Sequence, residues 1–238
     1  MKEEVFRIHK YKVGYRVNRQ LLLSLEDVFK QYNENSTLEI KTECTNCIKC
    51  TFSNIDECFK YFEKKPYRIE TMVIDVKLGN EYDSNRITMV FDSIQATTEI
   101  RFWFSNGDDY WLLKNKIELY LKNYKLNYRF LSTIPIMSIL LTLIFIMICV
   151  YTGKRNIVFP TMVQRLIVAV WLGGSFLTSI LPPFAKMKRN LFPYTEFRVG
   201  QNEFIEKKNE GIRNFLIGTV AGGIVLGVLV NYISDFLF

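Results

Sequence analysis

Three long apolar stretches fill the C-terminal part of this 238-residue chain. Phe130–Val150 runs for 21 residues without a charge, Leu166–Phe184 for 19 and Phe215–Ser234 for 20. An apolar helix needs about 20 residues to cross the hydrocarbon core of a bilayer, so each stretch is long enough to span. The expectation is a chain in two parts. An α+β cytoplasmic domain occupies residues 1–129, and an all-α membrane region of three transmembrane helices occupies residues 130–238. The spans are expected at about 130–151, 163–184 and 214–235.

Composition fits that division. Mean hydropathy is only +0.05, too low for a chain that is apolar throughout. Residues 1–129 carry 21 basic and 19 acidic side chains, whereas residues 130–238 carry 10 and 5, so most of the net charge of +7 lies beside the apolar stretches. Basic residues there suit orientation and contact with anionic lipid better than nucleic acid binding, and no duplex DNA partner is expected. The start of the chain, Met1 to Val13, has no apolar core of signal-peptide length, so the N-terminal domain is expected to stay in the cytoplasm. Lys186, Lys188, Arg189, Arg198, Lys207, Lys208 and Arg213 lie between the second and third stretches. Positive-inside bias places that loop in the cytoplasm as well. The expected location is the bacterial inner membrane, multi-pass, with the C-terminus outside.

Within residues 1–129, Ile87–Phe91 and Glu99–Ser105 alternate with period two, as half-buried strands do, and Met72, Ile74, Val76 and Leu78 make another strand face. Leu38–Cys44 and Cys47–Phe52 read as two strands around a turn at Thr45-Asn46. Leu22, Leu25, Phe29 and Tyr32 form a helical stripe. A second helix follows a cap at Ser53, and a third follows Asn106-Gly-Asp-Asp109 and carries Leu113, Ile117 and Leu121.

Few residues in this module carry chemistry. Cys44, Cys47 and Cys50 follow a Cys-x2-Cys-x2-Cys spacing that invites a metal or iron–sulfur reading. The second ligand pair is missing and His9 is the only histidine, so ordinary thiols on a hairpin are the expectation, with no metal and no cofactor. No phosphate-cradling glycine loop and no nucleophile elbow is present, and an enzyme is not expected. Arg101, Trp103 and Trp111, with Tyr110, form an aromatic and basic group that could stack a nucleotide base, although core and edge packing is the competing account.

The third apolar stretch has the most distinctive pattern. Gly218, Gly222, Gly223 and Gly227 make two overlapping GxxxG motifs, a helix-packing face suited to self-association. Thr219, Asn231 and Asp235 continue a four-residue ladder of small and polar side chains, which makes them candidate pore residues in a homo-oligomer. A terminal anchor is the competing reading of Asn231 and Asp235.

The order of segments Phe52–Phe59, Arg68–Ile74, Asp109–Leu113 and Tyr128–Ser132 resembles small bacterial membrane effectors of anti-phage defence, including the membrane partner of the Hailong nucleotidyltransferase system. The resemblance covers layout rather than any diagnostic motif. It implies a homo-oligomeric ion channel or pore in the lipid bilayer, gated by a nucleotidyltransferase or by its nucleotide or oligonucleotide product. The alternative is a membrane-anchored scaffold that recruits a cytoplasmic partner without conducting ions.

Overall fold

The computed structural model describes residues 4–65, 67–79, 85–95, 97–128, 161–180 and 182–237, together with 132, 138, 142, 145, 146 and 149. Side chains are described up to residue 219 of the last helix and over 162–174 of the helix that begins at Thr161. The chain divides into two compact units. One comprises residues 1–126 and 193–238, the other 127–192.

The first unit is built on a six-stranded antiparallel sheet. Its strands are β1 (Val5–Tyr11), β3 (Thr37–Cys44), β4 (Lys49–Phe52), β5 (Ile69–Lys77), β6 (Arg86–Asp92) and β7 (Thr98–Phe104), in the order β1-β7-β6-β5-β3-β4. The expected strands of this module are present. β7 shows why they form: its residues alternate strictly between buried and half-buried. Register carries that alternation across the sheet. Ile100 and Phe102 of β7 face Met89 and Ile87 of β6, which continue to Ile74 and Val76 of β5. All six are fully buried.

Three helices build the core against this face: α1 (Arg19–Tyr32), α2 (Ile55–Lys64) and α3 (Gly107–Asn123). Each begins at an asparagine whose side chain accepts a backbone N–H of the first turn. Asn18 caps α1 at 2.8 Å, Asn54 caps α2 at 2.7 Å and Asn106 caps α3 at 3.1 Å. The expected cap at Ser53 is thus one residue early. Ser53, the residue before the cap, instead donates its backbone N–H to the Glu57 carboxylate, 3.2 Å away. Leu21, Leu22, Leu25 and Phe29 of α1, Phe62 of α2, and Leu113, Ile117 and Leu121 of α3 complete the core.

A distant part of the chain joins the same unit. β8 (Glu196–Arg198) pairs in parallel with β2 (Arg16–Asn18), and Phe197 and Val199 enter the core. Two glycines permit the approach. A Cβ on Gly14 would lie 1.8 Å from the Tyr194 carbonyl oxygen, and one on Gly200 would lie 2.3 Å from the backbone of Phe62. Gly200 also has φ +55°, which glycine adopts without strain. The last helix, α6 (Gln201–Leu237), leaves directly from this junction.

An ionic network fastens it. Glu196 is fully buried and meets three guanidinium groups: Arg16 at 3.0 Å, Arg198 at 3.3 Å, and Arg213, itself 1% exposed. Arg213 reaches on to Glu206 at 3.4 Å, and Glu206 meets Arg68 at 3.5 Å. Glu210 accepts from Arg198 at 2.6 Å and Arg16 at 3.3 Å. Within residues 193–213, Glu196, Arg198, Glu206, Glu210 and Arg213 are thus paired with one another or with Arg16 and Arg68.

The second unit contains α4 (Thr161–Ile180) and α5 (Pro182–Leu191). The Trp171 ring stacks on Phe145 at 4.7 Å and donates its Nε1–H to Thr142 at 3.2 Å.

The expectation of three transmembrane helices is not met. Among the described residues no helix is long and apolar enough to cross a membrane. After Gln164 and Arg165, α4 has too short an apolar run before it ends at Ile180. α5 has ten residues and contains Lys186, Lys188 and Arg189. The described side chains of α6 begin with a charged half tied to the ionic network. The expected first span lies almost wholly outside the described residues. The inner-membrane location, with its cytoplasmic N-terminal domain and outside C-terminus, is not supported for the same reason. The fold class is corrected to α+β, with a six-stranded sheet and six helices among the described residues.

Removing one partner of a buried ion pair leaves the other charge stranded. Arg213→Met is therefore expected to cost about 3–5 kcal/mol in urea denaturation. A loss below about 1 kcal/mol would show that the network behaves like exposed surface pairs.

Candidate ligand-binding face

Three helices build the core on one side of the sheet, and the alternate side chains form an open face on the other. Phe6, Ile8 and Lys10 of β1 lie beside Trp103, Arg101 and Glu99 of β7. Arg86 and Thr88 of β6 follow, then Lys77 and Asp75 of β5. Large apolar side chains remain exposed at this corner, Phe6 by 52% and Ile8 by 46%.

Trp103 sits at the centre of the corner. Its ring lies 5.1 Å from Phe6, and the Arg86 guanidinium stands 5.8 Å from its centroid on the neighbouring strand. Such a cation–aromatic contact is attractive because the ring face is electron-rich. Arg86 is held in turn by Asp75, 3.1 Å away. Asp75 also accepts from Thr88 at 2.6 Å and from Lys41 at 3.0 Å. Arg101 is paired with Glu99. The corner therefore combines planar rings with guanidinium groups whose partners are displaceable carboxylates.

The expected group of Arg101, Trp103, Tyr110 and Trp111 is divided. Arg101 and Trp103 lie on the open face. Tyr110 packs edge-on against Phe102 at 5.4 Å, on the helix-covered face, and its hydroxyl lies 2.6 Å from His9 Nε2. Trp111 meets Tyr110 edge-on at 4.9 Å on α3, beneath the Lys114 ammonium at 5.2 Å. Sequence reasoning did not find Phe6, Lys77 or Arg86 as members of the site. The period-two placement of Phe6 and Ile8 was the available signal.

The candidate pore and packing residues lie on α6. Gly218 has open space around it and Thr219 is exposed. Gly222, Gly223, Gly227, Asn231 and Asp235 fall where side chains are not described.

The cysteines do not converge on one point. Cys47 occupies the turn with φ +58° and is exposed, whereas Cys44 and Cys58 are buried and Cys50 is half-buried. Among the described residues no group of three or more His, Cys, Asp or Glu side chains is placed to hold a metal ion. Burial, reinforced by Cys50, pushes the Cys44 thiol up to about 11 and the Cys58 thiol up to about 12.

A second concavity, of about 520 Å³, lies where α1 and α6 begin. Its arginines are already engaged, Arg19 by Asp56 at 2.5 Å and Arg198 by Glu210. Glu63 and Glu203 also line it. That balance of charge recommends it less than the aromatic corner. Comparison with protein-family models, curated proteins and solved structures finds no match for this chain.

Two measurements check the electrostatics. Burial is the largest single influence on Asp75 and pushes its carboxyl up. Hydrogen bonds from Thr88, Lys41 and Arg86 together outweigh it, so the group lies below its ordinary value. A carboxylate lowered on folding stabilises the fold above its unfolded value, about 3.9, and that contribution is lost as pH falls through the lower folded value. The stability gap between the native chain and Asp75→Asn is therefore expected to be widest near neutrality. It should close in acid, as followed by urea midpoints. Separately, alkylation of the native chain at about pH 8 should label Cys47 and Cys149 first, because thiolates react and raised thiols stay protonated. Cys44 and Cys58 should label only in denaturant, as read by mass spectrometry.

Proposed function

We propose that the first unit is a non-catalytic sensing module that binds a nucleotide or a short single-stranded oligonucleotide at the open corner around Trp103. The observation that carries this reading is the Trp103 ring between Phe6 and the Arg86 guanidinium on an uncovered sheet face. A base stacks on such rings whatever its identity. Phosphates attract the guanidinium fork, which pairs with planar or tetrahedral anions through two parallel hydrogen bonds. Binding would draw Arg86 from Asp75 and Arg101 from Glu99, exchanging one anionic partner for another.

His9 is hydrogen-bonded to the Tyr110 hydroxyl on the helix-covered side and takes no part in the proposed binding. In the setting that the resemblance implies, the ligand would be a nucleotidyltransferase product and this module its receptor. Conduction is not included in the proposal. No helix among the described residues is long and apolar enough to cross a membrane.

Stacking on an aromatic side chain is worth about 1–3 kcal/mol per base. Titration of the full chain with mononucleotides, cyclic dinucleotides and tetranucleotides should give saturable binding by calorimetry. Trp103→Ala should then weaken it about tenfold or more, Arg86→Ala should weaken it in a salt-dependent way, and Trp111→Ala should leave it unchanged. The reading fails if no member of the three ligand classes binds, or if Trp103→Ala and Trp111→Ala behave alike.

A further inference from the structure

The outer edge of β1 shows a second recognition surface. β1 ends the sheet, and among the described residues no strand is paired with its outer edge. Its seven residues run in unbroken register with β7, from Val5 opposite Phe104 to Tyr11 opposite Thr98, without a bulge. Protected edges are commonly short, bulged, covered or charged; this one is regular and long, and the charges it carries, Arg7 and Lys10, are both basic. Every second residue therefore directs its backbone N–H and C=O outward, ready to pair with an added strand.

Charge at the edge selects the occupant. Val5 to Val13 contains Arg7, Lys10 and Lys12 and no acidic residue. Arg7 is exposed and has no ion-pair partner among the described residues. Lys10 makes only a loose contact, 3.7 Å to Glu99. Between these charges, Phe6 and Ile8 present exposed apolar surface. A second copy of this chain is disfavoured as the occupant. Antiparallel pairing about Ile8 would set the two Arg7 side chains as diagonal neighbours on one face with no acid between them, while Glu4 would meet Lys12 only at the ends of the paired segment.

We infer that the β1 edge binds an extended acidic peptide of a partner protein by strand addition, with apolar side chains against Phe6 and Ile8 and carboxylates opposite Arg7 and Lys10. Main-chain hydrogen bonds supply affinity in this mode, and alternate side chains supply specificity. The surface shares Phe6, Ile8 and Lys10 with the Trp103 corner and differs from it in Arg7, which projects from the other side of β1, and in backbone pairing, which needs no aromatic ring.

The test uses the full chain and a fluorescein-labelled heptapeptide, Thr-Glu-Thr-Val-Glu-Val-Thr, read by fluorescence anisotropy. Saturable binding that weakens with salt is expected. The same peptide with both glutamates replaced by lysine should bind about tenfold more weakly or not at all, as should a version N-methylated on alternate backbone amides. Arg7→Glu should abolish binding of the acidic peptide while leaving the circular dichroism spectrum and any nucleotide binding unchanged. Trp103→Ala should leave peptide binding intact, which separates this surface from the nucleotide reading. Equal binding of the acidic and basic peptides, binding that survives N-methylation, no binding of the acidic peptide, or a dimer in sedimentation that Arg7→Glu dissolves would each overturn the inference.

Discussion

The fully buried carboxylate of Glu196 is the constraint on which the first unit depends. A charge in such a place is tolerable only when opposite charges and hydrogen-bond donors surround it. Arg16 comes from β2, Arg198 from β8 itself and Arg213 from α6. These three arginines are scattered along the chain, and satisfying one carboxylate brings them together. The parallel β2–β8 pair and the departure of α6 from the core follow from that requirement. The glycines at 14 and 200 serve the same end, since side chains there would collide with the backbone of Tyr194 and Phe62.

With the core on one side of the sheet, the other side can carry recognition. The period-two alternation that buries Phe102, Met89 and Ile74 necessarily turns Trp103, Thr88 and Asp75 the other way. The binding proposed for this face therefore rests on strand register rather than on a loop. The register that defines the core sets the spacing of Phe6, Trp103, Arg86 and Lys77 across neighbouring strands. The polar part of the face is held by Asp75, which ties three strands through Lys41, Thr88 and Arg86.

Strands β3 to β7 and helices α1 to α3 were legible in the sequence because each has one apolar face and a recognisable cap or turn. β1 was not. Its Phe6 and Ile8 lie on the open face, while the core-side positions hold Arg7 and His9, so the alternation gives no core stripe. β8 was hidden differently. Three residues cannot show a period, and the charges around them looked solvated because their partners lie far away along the chain. The transmembrane reading rested on length and apolarity alone, and it is not supported among the described residues. At the open face, Arg101 and Trp103 could be singled out by residue type. Only strand register reveals that Phe6 and Arg86 flank Trp103, and that Trp111 belongs to the helix layer.

Two buried carboxylates show how the same fold treats charge in opposite ways. Asp75 lies on the open face, where hydrogen bonds outweigh burial and the charged form is favoured. Glu206 lies inside the network, where burial and the nearby Glu196 charge push its carboxyl up despite Arg68 and Arg213. A raised carboxyl stabilises the fold in acid, and that contribution is lost as pH rises through its folded value, whereas the contribution of Asp75 grows in the same direction. Burial rather than a shortage of cations sets Glu206 apart, since the network holds four arginines, Arg16, Arg68, Arg198 and Arg213, against three glutamates, Glu196, Glu206 and Glu210. On the open face Asp75 meets both Lys41 and Arg86, and Lys41 is shared in turn with Glu39 at 2.9 Å. The proposed phosphate contact needs an accessible cation, and Arg86, about half exposed beside Asp75, offers one where the buried Arg213 does not.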